Sequence, residues 1–259
     1  MPLMPGAEPY RHEGGETGVL LCHGFTGTPQ SLRPWAEYLA GRGLTVSLPL
    51  LPGHGTRWQD MQATGWPDWY AEVDREFRRL SATCSRVFVC GLSMGATLSL
   101  RLAQKHGTAV AGLVLVNPSV KADSWQLKAV PVIRHVVPSV AGIASDIARK
   151  GAGELGYDRT PLHAVHSLTA LWRTVRAGLP QVTQPVLLLH SREDHVVHPS
   201  NSAVLLGRIS SVDVTERVLE RSYHVATLDN DAELIFAESY DFVQRLSVPA
   251  AAEEGSAGG

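Results

Sequence analysis

The sequence predicts an α/β fold: a mostly parallel central sheet flanked by helices, with a small insertion. Three observations carry this. Short apolar β-forming runs alternate with helical-period segments from residue 18 to residue 116. The alternation resumes at 185–246. Strands separated by helices imply right-handed crossovers and parallel pairing. Between these regions, 120–178 shows no strand–helix alternation and reads as an insertion above the strands' C-terminal ends, where open α/β sheets bind ligands. The division expected is a core of 1–119 and 179–247, a cap of 120–178, and a disordered tail at 248–259, where Ala, Glu, Gly and Ser dominate.

Residues 1–15 are rich in Pro and Gly and should lie on the surface. Residues 18–22 form an apolar run suited to a strand buried on both faces. A loop follows at 23–28, then a helix at 29–40, stopped by Gly41 and Gly43. Residues 44–48 are the next strand, and 49–56 a second loop. Trp69, Tyr70, Val73, Phe77 and Leu80 recur at helical spacing between charges, so 67–80 is an amphipathic helix. Residues 86–90 are a strand, 94–106 a helix, and 111–116 another buried strand. Inside the insertion, 130–147 is apolar with prolines at 131 and 138, and 145–150 and 161–176 are expected to be helical. Residues 185–190 are a strand, 201–208 a helix, 212–219 a strand and 231–246 the closing helix.

The chain has 259 residues, 44% of them hydrophobic, which suffices for one large domain with its own core. Lys plus Arg is 23 against 25 for Asp plus Glu. That balance carries no nucleic-acid footprint and no polybasic membrane anchor. The three cysteines form no disulfide framework, and Cys22 and Cys90 sit in apolar runs as small buried residues. No basic segment followed by an apolar run opens the chain, so no secretory leader is expected. No uncharged apolar stretch reaches the ~20 residues that span a bilayer. A soluble cytoplasmic protein is the expectation.

The chemistry centres on Gly91-Leu92-Ser93-Met94-Gly95. A strand stops there and a helix begins, so this is G-x-S-x-G in strand–turn–helix context, a nucleophile elbow. The glycines let the chain reverse where side chains would collide with neighbouring backbone. The turn lifts the Ser93 hydroxyl off the sheet. A serine hydroxyl is a poor nucleophile at neutral pH. It needs a histidine to take its proton and a carboxylate to orient that histidine. The chain order in this setting is Ser, acid, His. Glu193 and Asp194 both occupy the loop after the 185–190 strand, and spacing leaves the choice between them open. Of eleven histidines, only His224 follows the last expected strand. Asp194, His195 and His198 also lie close enough to suggest a metal loop, but no third histidine is near in sequence, and surface positions explain His195 and His198 better. The loop 23–25 follows the first strong strand, which makes the backbone N–H groups of Phe25 and Met94 the candidate oxyanion hole.

Several short motifs occur together and in order: His23-Gly24-Phe25-Thr26-Gly27-Thr28-Pro29, Pro52-Gly53-His54-Gly55-Thr56, the elbow, Glu193-Asp194-His195-Val196-Val197, and Ser222-Tyr223-His224-Val225-Ala226-Thr227-Leu228-Asp229. With them the chain, from about residue 6 to 246, resembles the bacterial monoacylglycerol lipase/carboxylesterase group of the α/β-hydrolases. The resemblance implies an eight-stranded type of sheet, a small cap, no metal or cofactor, and ester hydrolysis through an acyl-enzyme. It implies Asp194 as the catalytic acid. It also implies that Glu154, in a segment similar to one that presents a glutamate to glycerol hydroxyls, binds substrate. Ile143 falls where those enzymes place an apolar residue beside the glycerol pocket.

The expected activity is therefore monoacylglycerol hydrolysis by Ser93, Asp194 and His224, with a small lipid ester as substrate. A general carboxylesterase for short- to medium-chain esters shares the triad; only the acyl channel and Glu154 distinguish the two. A non-catalytic binding protein of the same fold is the third reading, since fold does not fix function. Val132, Ile133, Val136, Val137, Val140, Ile143 and Ile147 could line an acyl site, pack the cap, or touch a membrane surface transiently. Oligomeric state is not readable.

Overall fold

The computed structural model describes residues 2–122, 125–142 and 145–247. The tail expected at 248–259 lies outside the described residues, as does Ile143.

The chain opens with β1 (Tyr10–His12) and β2 (Thr17–Cys22), then a 3-10 turn (Pro29–Leu32) that runs into α1 (Arg33–Ala40). Next come β3 (Thr45–Leu48), α2 (Trp58–Gln62), α3 (Trp66–Ser81), β4 (Arg86–Leu92), α4 (Met94–His106) and β5 (Val110–Val116). The region that follows holds α5 (Val130–Ile133), the two short strands β6 (Ser139–Ala141) and β7 (Arg159–Pro161), and α6 (Leu162–Ala177). The chain closes with β8 (Val186–Ser191), α7 (Ser200–Leu206), β9 (Val214–Leu219) and α8 (Ala232–Ser247).

Seven strands form the main sheet in the order β1-β3-β2-β4-β5-β8-β9. All neighbours are parallel except β1 against β3. The apolar runs of β2, β4, β5 and β8 are buried on both faces, and their side chains divide by alternation. Leu20, Val89, Leu115 and Leu188 meet one core, with Trp69 and Phe77 of α3 and Leu98 of α4. Leu21, Phe88, Val114 and Leu189 meet the other, with Trp35 of α1 and Ile235 of α8. Helices thus cover both faces, as a parallel sheet requires. Edge strand β9 carries Thr215, Glu216 and Arg217, charged or polar groups that discourage pairing with another chain.

Two expectations are corrected. The resemblance implies an eight-stranded type of sheet, whereas among the described residues the main sheet has seven strands. The few residues before β2 supply only the three-residue β1, which Arg11 ties to buried Glu76 of α3 at 2.6 Å. The helix expected at 145–150 does not form. The amides of Ala148 and Arg149 donate to the Asp229 carboxylate at 2.7 and 2.9 Å, and the Asp146 carbonyl accepts from the Val225 amide at 3.0 Å. Groups that a helix would pair internally are satisfied by a neighbouring loop instead.

The connection between β5 and β8 contributes to the core as well as covering it. Leu168, Leu171, Trp172 and Val175 of α6 share a cluster with α3 and α4, so its C-terminal half packs as a layer of the sheet's flank. Among the described residues no helix is long and apolar enough to cross a membrane.

Candidate active site

β4 ends and α4 begins across Ser93, which sits at φ 57°, ψ −116°. A non-glycine residue at positive φ is strained by roughly 1–3 kcal/mol. The elbow enforces that strain because its backbone has no room to relax. A methyl group on Gly95 would stand 1.9 Å from the Cys22 carbonyl oxygen of β2. One on Gly91 would stand 2.4 Å from the Gly95 carbonyl carbon. The two glycines therefore permit close approach; neither is needed for its own torsion. Gly95→Ala should destabilise the protein by on the order of 3 kcal/mol or more through that clash. Chemical denaturation, with esterase activity followed in parallel, checks it; a stable and active Gly95→Ala protein would contradict the clash.

Ser93 is 8% exposed, and its amide donates to the Val116 carbonyl at 3.0 Å. Among the described residues its hydroxyl makes no hydrogen bond, a looseness common in unliganded sites. The loop after β2 passes directly beside it, since a methyl on Gly24 would lie 3.7 Å from Ser93 Cβ. Among the described residues neither the Phe25 nor the Met94 amide donates to a protein acceptor, and Met94 is the first residue of α4. Such an N-terminal amide has no intrahelical partner and is free to bind an anion. The Phe25 ring packs edge-on against Trp69 at 5.8 Å.

His224, on the loop after β9, donates from Nδ1 to Asp194 Oδ2 at 2.8 Å, and both side chains are almost wholly buried. The other oxygen of Asp194 accepts from the amides of Val196 and Val197 at 2.9 and 2.7 Å. Glu193, the other carboxylate that spacing allows, is exposed. His195 and His198 turn to Asp146 and Ser200 respectively. Among the described residues no group of three or more potential ligands lies close enough to hold a metal ion.

Three residues to which the sequence assigns no role build this geometry. Asn117, at φ 44° just past β5, donates to the His224 carbonyl at 2.8 Å and accepts from the Ser191 amide at 2.7 Å. It thereby hangs the histidine loop from the same strand end that receives the Ser93 amide. Asp229 accepts from the Tyr223 amide at 2.9 Å. His23 accepts the Leu51 amide at Nε2 (3.2 Å) and donates from Nδ1 to the Gly24 carbonyl (3.0 Å). Burial, reinforced by neighbouring His54, pushes its pKa down to about 3, so it stays neutral and locks the loop that carries the Phe25 amide. No local pattern marks Asn117 as special; His23 is signalled only by its place in the loop motif.

Glu154 is partly buried. A methyl on Gly27 would come 2.6 Å from its Oε1, which places the carboxyl against the loop after β2. Burial pushes its pKa up to about 7, with His224 and Ser31 partly offsetting that effect. A carboxyl whose pKa is raised on folding favours the protonated folded state. The stability it contributes is full below its ordinary 4.5 and lost as pH rises through about 7. Glu154→Gln should flatten that fall, measured as Tm on either side of neutrality. An unchanged pH dependence would place the carboxyl in a more solvated setting.

The chain matches a family described as serine aminopeptidase, S33, over residues 16–231. It is 42% identical over 242 residues to a thermostable monoacylglycerol lipase of Bacillus sp. (strain H-257), covering 93% of this chain and 96% of that protein. It is 27% identical to a carboxylesterase of Bacillus subtilis (strain 168), covering 92% and 97%. A solved structure reported with the metagenome-derived lipolytic enzymes LipS and LipT superposes with a TM-score of 0.92 at 40% identity, covering 94% of this chain and 100% of that one. Matched family, relatives, parallel sheet and elbow agree: this chain belongs to the serine aminopeptidase, S33, family of α/β-hydrolases, within its bacterial monoacylglycerol lipase/carboxylesterase group.

Proposed function

We propose that the protein is a serine ester hydrolase that splits monoacylglycerol into glycerol and a fatty acid through an acyl-enzyme. The observation that carries this reading is the buried His224–Asp194 bond of 2.8 Å, on a loop suspended from the same strand end as the strained Ser93. Ser93 Oγ attacks the ester carbonyl. With Nδ1 held by Asp194, Nε2 of His224 takes the hydroxyl proton and delivers it to the leaving glycerol oxygen. The Phe25 and Met94 amides bind the oxyanion, a contribution of about 3–4 kcal/mol for each donor lost. Water, deprotonated by the same imidazole, then releases the fatty acid.

Glu154 supports glycerol as the leaving group, because the β5–β8 connection presents its carboxyl beside the loop after β2. That connection acts as the cap of the site. Its outer surface leaves Val132 75% and Val136 80% exposed, with Ile133, Val137 and Val140 also exposed, an apolar ridge suited to transient contact with a membrane or lipid aggregate. Three free thiols fit a reducing compartment and so a cytoplasmic enzyme. The 42% identical relative is a monoacylglycerol lipase, which favours this reading over a general carboxylesterase; the 27% identical carboxylesterase keeps the latter as the second reading.

A chain-length series on monoacylglycerols, diacylglycerols and short simple esters separates the two. Monoacylglycerols of medium or long chain should be turned over best. Glu154→Ala should cost about 10- to 100-fold in kcat/KM on monoacylglycerol, the loss expected for a hydrogen bond to a carboxyl, and little on a short simple ester. Best turnover of short esters, with Glu154→Ala silent, would establish the carboxylesterase instead.

A further inference from the structure

The stretch 145–149 has no regular secondary structure, and one side chain in it bridges the two loops that carry the acid and the base. Asp146 Oδ2 accepts from the amide of His195 at 3.1 Å and from the amide of His224 at 3.1 Å. Its Oδ1 pairs with His195 Nδ1 at 2.8 Å, and its carbonyl accepts from the Val225 amide at 3.0 Å. His195 directly follows Asp194, so the contacts close a ring. It runs from Asp146 to the His224 backbone, through the imidazole to Asp194, and through the His195 amide back to Asp146. The Asp146 side chain is 13% exposed.

We propose that Asp146 is a positioning residue of the reaction: its carboxylate sets the spacing between the acid loop and the base loop and so holds the His224 imidazole against Asp194. The inference rests on the triad reading above. One oxygen joined to two backbone donors, one on each loop, is a stiffer link than a surface ion pair, because neither donor has side-chain freedom to lose. The segment is held independently of Asp146. Asp229 accepts the Ala148 and Arg149 amides, and Ser145 Oγ accepts the Glu154 amide at 2.9 Å. Removing the Asp146 carboxylate therefore takes away its tie between the two loops without detaching the segment, while Asn117 still joins the Ser191 amide to the His224 carbonyl. The neighbouring anchors also join functions: Ser145 holds Glu154, and Asp146 holds the catalytic pair. Burial opposes ionisation of Asp146, but the bonds from the His195 ring and the two amides outweigh it and keep the carboxyl below its usual range. The titratable groups around His224 are thus Asp194, Asp146, His195 and Glu154.

The test is steady-state kinetics of the full chain with a medium-chain monoacylglycerol and a short nitrophenyl ester, across pH. Asp146→Ala should lower kcat about 10- to 100-fold on both substrates, as loss of an orienting partner does, with KM little changed. Asp146→Asn, which keeps one acceptor oxygen, should fall between it and wild type, and Asp146→Glu should partly restore kcat. His195→Ala removes only the ring contact, leaves both amides on the carboxylate, and should lose less than Asp146→Ala. The pH profile of kcat/KM should change in Asp146→Asn, because the imidazole is then held less firmly against Asp194. The downfield proton of the His224 Nδ1–H···Asp194 bond should weaken with it. A lowered Tm with wild-type kcat and an unmoved pH profile would reduce Asp146 to a structural staple and overturn the proposal. Should Asp146→Ala not fold, Asp146→Asn decides by the same two readouts. Failure of a fluorophosphonate to label Ser93 in the wild-type protein would instead overturn the triad reading, a distinct result.

Discussion

Ser93→Ala should lower kcat by a factor on the order of 10⁶, the loss typical when the nucleophile of a serine triad is removed. The residual rate would come from the oxyanion donors and binding alone. The substitution should leave the fold intact, because Ser93 is held by backbone contacts to Val116, Thr97 and Ser119 that alanine preserves. Ser93→Gly sharpens the test. It should be equally inactive yet more stable, by roughly 1–2 kcal/mol, because glycine adopts φ 57° without the strain a side chain incurs there. Activity assays and denaturant unfolding on the three proteins measure both effects. A glycine variant less stable than wild type would mean that the elbow is not strained at this residue.

Asp194→Asn should cost about 10⁴-fold in kcat, through the tautomer of His224. Two amides, Val196 and Val197, donate to Asp194 Oδ1. An asparagine at this position must turn its oxygen toward those donors, leaving its NH₂ facing Nδ1. His224 would then carry its proton on Nε2 and could not accept one from Ser93. Because the fold survives this exchange, the Tm should change far less than the rate. Asp194→Ala removes the acceptor without imposing a donor and should retain more activity than Asp194→Asn. The reverse order in single-turnover acylation rates would refute the tautomer argument.

The sheet was legible because its signals are local. The strands at 18–22, 86–90 and 111–116 appear as apolar runs, and structure extends them by one or two residues at most. The helix at 94–106 is bounded as its pattern predicts. What did not read correctly depended on partners distant in sequence. The 145–150 stretch has helical character, yet Asp229, some eighty residues on, claims its amides. The brief strands β6 and β7 exist only as each other's partners across the intervening chain, and three-residue strands leave no periodicity to detect.

The site divides in the same way. Sequence by itself determined the elbow, because a strand, two glycines and a helix are consecutive, and it narrowed the candidate base to His224 by chain order. Spacing left Glu193 and Asp194 equal, since both sit in the same loop, and only the family resemblance pointed to Asp194. Tertiary structure decided that Asp194, not Glu193, faces His224, because only the packed loops show which carboxylate meets Nδ1 while its other oxygen takes two amides. Tertiary structure alone also revealed Asn117 and Asp146, and it gave roles to His23 and Asp229, which the sequence shows only as members of motifs. Each satisfies backbone groups on segments far away in the chain, and a hydrogen bond between distant segments leaves no trace in local residue order.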